Sequence, residues 1–73
     1  MDRHPKTKLN NYCQATGKSC TYDDIFKGSQ NNGLWYSVAT VDGFKAGVGE
    51  PRQKRVDAQQ SAAHKALEYY GQT

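Results

Sequence analysis

No stretch of this sequence approaches the ~20 consecutive apolar residues of a membrane span. None follows the opening Met1-Asp2-Arg3-His4 either, so no signal peptide and no membrane partner are expected. The chain reads as soluble and intracellular, in cytoplasm or nucleus. Cysteine is scarce, with only Cys13 and Cys20. Without a Cys-x-x-Cys or a Cys/His quartet, structural zinc is excluded and no metal is expected. The two thiols read as reduced packing residues; a stapled, secreted domain is the alternative. Catalytic patterns are missing too. Asp23 and Asp24 are adjacent, so a strand sends them to opposite faces and they make a poor acid–base pair. His64 has no Ser or Cys nucleophile set beside it by a motif. Gly43, Gly47 and Gly49 precede no helix at the spacing a dinucleotide site needs. No enzyme activity, no cofactor and no small-molecule substrate are therefore expected.

The 73 residues suffice for a single domain, residues 1–73, with its core between about 5 and 70. A domain this small buries only about 60% of the surface of its unfolded chain. Its core must be thin, one layer of helix on one layer of sheet. Ten Lys and Arg against seven Asp and Glu give a net charge of +3. The sequence pI of about 9.0 suits an anionic partner, subject to where the charge sits.

Pro5 can open a helix at no hydrogen-bonding cost. From Lys6 to about Ala15, Leu9, Tyr12 and Cys13 recur at i, i+3, i+4, and Gly17 is the stop. Cys20 to Phe26 has strand propensity, and the polar run from Gly28 to Gly33 is a loop. Leu34 to Val41 is the strongest strand, Phe44 to Val48 the third, and Asp42-Gly43 between them signals a tight hairpin. Gly47 and Gly49 read as the end of the sheet and Trp35 as core. An Ala-rich helix follows from Gln53 to about Tyr70, with Val56, Ala63, Leu67 and Tyr70 on one face, Ala62 and Ala66 beside them, and Gly71 ending it. The predicted fold class is α+β: an α-β-β-β-α two-layer fold, a three-stranded antiparallel sheet with both helices on one face.

These residues resemble the double-stranded RNA-binding domain family from about Pro5 to Tyr70. The resemblance is carried by Leu9 to Gln14 in the first helix, Tyr22-Asp23-Asp24-Ile25, Thr40-Val41-Asp42-Gly43, and Gly47-x-Gly49. A basic run and Ala62-Ala63-His64-Lys65-Ala66-Leu67 complete it. It implies a module that reads A-form shape through 2′-OH and phosphate contacts, largely independent of sequence. Such a domain touches two successive minor grooves and the phosphates between them across ~16 base pairs. Three contact regions follow from the resemblance. The first helix offers His4, Lys8, Asn10 and Asn11, where the family has Gln-Glu at the last two positions. The loop after the first strand offers Gln30, Asn31 and Asn32, without the family's Pro and His. The start of the second helix offers Arg52, Lys54, Arg55 and Gln59.

In this last region the family has Lys-Lys-x-Ala-Lys. Arg55 falls at the first lysine, Val56 at the second and Gln59 at the third. Each lost phosphate contact takes about one unit from the slope of log affinity against log salt. Weaker, less salt-sensitive binding than the family norm is implied. The alternative is a degenerate domain of this fold that binds another protein or dimerises. A second domain of the same kind is a further possible partner.

Overall fold

The computed structural model describes residues 4–29 and 31–72. In chain order they form α1 (Pro5–Thr16), β1 (Cys20–Lys27), β2 (Leu34–Val41), β3 (Phe44–Val48) and α2 (Arg55–Tyr69). The sheet is antiparallel in the order β1-β2-β3. Asp42 and Gly43 turn the β2–β3 hairpin with φ of 53° and 80°. Both angles lie in the left-handed region that a type I′ turn demands, and Asp and Gly tolerate it better than other residues. The Asp42 carboxylate accepts from the Ser19 backbone N–H at 2.8 Å, which ties this turn to the start of β1.

Alternation along the paired strands decides what faces the helices. On the inner face Cys20 pairs with Val41, Tyr22 with Ala39, Asp24 with Ser37 and Phe26 with Trp35. The column runs from apolar at one end to polar and aromatic at the other. Over the apolar end lie Leu9 and Cys13 of α1 and Ala62, Ala63, Ala66 and Leu67 of α2, which with Ala39, Val41 and Ala46 form the core. α2 covers β2 and β3, whereas α1 lies chiefly against α2 and meets the sheet at β1. The helices thus occupy one face, as expected.

Four details depart from the sequence reading. Gly47 and Gly49 do not merely end the sheet. Both are buried under α2, where a Cβ on Gly47 would strike the Ala62 carbonyl oxygen and the Ala66 nitrogen. Val56 shares the face of Ala63 but is 51% exposed. α1 begins level with Gln59 and Gln60, so Val56 overhangs its end. Trp35 is half-buried rather than core. It lies beyond the apolar cover, between the Phe26 ring at 5.1 Å and the Arg55 guanidinium at 5.8 Å.

α2 also starts later than Gln53. The backbone of Arg52 pairs with that of Trp35 through two N–H···O bonds of 2.6 and 2.9 Å. This bridge holds residue 52 extended and postpones the helix to Arg55, with Lys54 as its N-cap.

Cys13 and Cys20 are free thiols in or against the core. Burial, with the Cys20 sulfur alongside, pushes the Cys13 thiol up to about 11 from 9.0. Burial raises the Tyr22 hydroxyl as well. The folded state therefore holds these protons more tightly than the unfolded chain. The associated stability is complete below pH ~9 and lost as pH climbs through ~11. The urea midpoint should fall between pH ~8 and ~10.5, and fall less in Cys13→Ser. An equal fall in both proteins would remove Cys13 as a cause.

Candidate nucleic-acid interface

The polar end of the sheet lies beneath the first turns of both helices. Asp24 is the pivot. Its Oδ1 accepts from Ser37 Oγ at 2.9 Å and its Oδ2 from Gln59 Nε2 at 2.6 Å. Arg55 Nε stands 4.0 Å from the same Oδ2. A carboxylate so supplied with donors satisfies its half-buried position without a fully buried ion pair. Asp23, one residue earlier, points to solvent on the other face, as the strand period requires.

The start of α2 carries the basic cluster. Arg52 is exposed and its Nη2 lies 3.2 Å from Glu50 Oε1, while Nη1 donates to the Pro51 carbonyl at 3.1 Å. Arg55 is exposed, pairs loosely with Asp24 and stacks over Trp35. Lys54, at the N-cap, is exposed and has no carboxylate within ion-pair distance among the described residues. Of the three cations, Lys54 alone carries an uncompensated charge. Gln59 is half-buried, and both ends of its amide are engaged, Nε2 by Asp24 and Oε1 by Lys6 Nζ at 2.6 Å.

The β1–β2 loop comes to the same end. Asn31 and Asn32 are exposed, and the Asn32 N–H donates to the Ser29 carbonyl at 3.1 Å. With Gly33, Leu34 and Gln53 they line a cleft of about 470 Å³. Gln53 was missed by sequence reasoning because it was assigned to the helix. The Trp35–Arg52 bridge instead sets it beside the loop. Gln30 lies outside the described residues.

On α1, His4 is the exposed N-cap residue, and its carbonyl accepts from the Lys8 N–H at 3.0 Å. Lys8 is half-buried, and Asn10 and Asn11 are exposed. The structure thus gathers the α2 cations and the loop amides at one end and presents the α1 residues from the adjoining helix. Lys6, absent from the expected set, reaches from α1 to the Gln59 side chain of α2.

A model of the double-stranded RNA binding motif matches residues 5–70. The chain belongs to that family. No curated protein sequence matches the chain. Among solved structures, an Arabidopsis HYL1 structure, described with its implications for miRNA processing, superposes with a TM-score of 0.84 at 28% identity. That match covers 92% of this chain and 96% of the other. The first dsRBD of HYL1, the subject of backbone chemical-shift assignments, gives a TM-score of 0.80 at 28% identity, covering 90% and 94%. The double-stranded RNA binding motif thus accounts for the element order and for both helices lying on one face of the sheet. Among the described residues, no group of three or more His, Cys, Asp and Glu side chains could hold a metal ion. No helix among them is long and apolar enough to cross a membrane.

Proposed function

We propose that this domain binds double-stranded RNA as a non-catalytic module, reading A-form shape through 2′-OH and phosphate contacts. One observation carries the reading beyond family membership: the start of α2 and the β1–β2 loop are fastened together by the Trp35–Arg52 bridge. That fastening sets cations and amides at a fixed separation. Lys54 and Arg55 meet phosphates. Asn31, Asn32 and Gln53, whose amides both donate and accept, suit 2′-hydroxyls and minor-groove edges. Asn10 and Asn11 of α1 serve the second minor groove. None of these groups matches a particular base sequence, so the reading is of shape.

A gel-shift at low salt with a ~20-base-pair RNA duplex, set against the DNA duplex of the same sequence, tests this. The RNA should shift and the DNA should not. No RNA shift at tens of micromolar protein sinks the proposal. A protein partner is the second reading. It is favoured by the outer sheet face, where Ile25 pairs with Tyr36 and Val38 with Val48, and Val48 is 63% exposed.

A further inference from the structure

Lys6 begins on α1 but its charge resides at the start of α2. Its backbone N–H donates to Gln60 Oε1 at 2.9 Å, and its Nζ donates to Gln59 Oε1 at 2.6 Å. The ammonium also stands over the Tyr22 ring, 5.5 Å from the centroid. Two consecutive glutamines of α2 therefore grip the two ends of one lysine. Gln59 is itself fixed by donating to Asp24, and Asp24 by accepting from Ser37. The chain Ser37–Asp24–Gln59–Lys6 runs from the sheet through α2 to α1.

The choice of Gln59 as the partner of Lys6 has an electrostatic consequence. An amide oxygen orients an ammonium without neutralising it. Lys6 makes no ion pair among the described residues, and two of its three N–H donors remain beyond the Gln59 bond. Arg55 stands at the same Asp24 oxygen that holds Gln59, and Lys54 precedes Arg55 in the chain. Two cations thus gather at the Gln59–Asp24 pair: Lys6 on the amide oxygen, and Arg55 beside a carboxylate whose oxygens already accept from Ser37 and Gln59. The surplus positive charge is ordered before any partner arrives, so little side-chain freedom is lost on binding an anion. Asn10 lies one helical turn along α1 from Lys6, on the same side.

We propose that Lys6 contacts a phosphate of the RNA backbone, a cation lent by α1 to the contact made at the start of α2. On this proposal Gln59 and Asp24 are positioning residues and Gln59 does not itself touch RNA. The proposal rests on the RNA-binding reading above.

Lys6→Met keeps the apolar stem over Tyr22 and removes the charge. Its affinity for the ~20-base-pair duplex should be roughly three- to tenfold lower, and its salt slope shallower by about one. Lys6→Arg should retain the wild-type slope. A Lys6→Met slope equal to wild type overturns the proposal and leaves Lys6 as a tie between helices. Failure of the wild-type protein to bind RNA is a different result, which removes the underlying reading and this proposal with it. Amine acetylation footprinting of the unmodified protein needs no variant. RNA should shield Lys6 severalfold but not Lys18, an equally half-buried lysine that stands over Tyr70 at the other end of the helices. Equal acetylation of Lys6 with and without bound RNA also overturns it.

Discussion

Gly47→Val should leave the domain without a cooperative thermal transition. β3 runs directly beneath α2, and at Gly47 the strand and helix backbones approach with no side chain between them. A Cβ there would strike the Ala62 carbonyl oxygen and the Ala66 nitrogen, with Ala66 Cα at 3.0 Å. These are backbone atoms of a helix whose own bonds hold them, so no rotamer change makes room. Overpacking a core usually costs about 1–3 kcal/mol, and more where the obstruction is rigid. A domain of this length has only about 4–11 kcal/mol in total. Valine adds two methyl groups to the Cβ, and α2 must lift its buried Ala58, Ala62, Ala63 and Ala66 off the sheet. Circular dichroism on heating and the dispersion of a proton–nitrogen spectrum read the outcome. Lys45→Ala, exposed on the same strand, is the control. A Gly47→Val melt within ~5 °C of wild type contradicts the close contact.

That contact shows where sequence reasoning stopped. Periodicity placed the helices and strands, because Leu9, Tyr12, Cys13 and the alanines of α2 repeat with the period of the face they bury. Asp42-Gly43 fixed the hairpin through a local steric rule that needs no tertiary knowledge. Gly47 and Gly49 belong to a different kind of fact. The alanines announced a close approach by α2, but nothing local said which strand residues would receive it. Val56 and Trp35 failed similarly. Each has the right spacing and hydrophobicity for the core, yet each lies where the covering helix has run out.

The site was less legible than the fold. The cations at 52, 54 and 55 were readable as a cluster, but not their internal partners. Glu50 partners Arg52, and Asp24, distant in sequence, partners Arg55. Gln59 was expected at a contact position on the family pattern, while the structure engages its amide at both ends. Lys6 had no motif to mark it, since its role depends on where α1 crosses α2. The amide cleft depended on the Trp35–Arg52 bridge, a pairing between segments that local pattern does not connect.

The second large effect concerns Lys54 and Arg55 together. Lys54→Glu with Arg55→Gln should weaken binding to the ~20-base-pair duplex by at least ~100-fold, taking about 1.5–3 kcal/mol for each charge-assisted contact. The salt slope should become shallower by about two. The choice of residues separates binding from folding. Glutamine at 55 keeps a donor for Asp24, so the carboxylate is not stranded. Glutamate at the N-cap of α2 places a negative charge at the positive end of the helix dipole, which is worth about 0.3–1 kcal/mol in its favour. The double variant should therefore melt no lower than wild type while losing RNA. A structural role for the two cations predicts the reverse, lower stability with binding reduced in proportion. Unchanged affinity and slope would place the phosphate contact elsewhere on the molecule. Loss of binding with the fold intact, measured by titration and melting of one preparation, assigns the start of α2 to the RNA backbone.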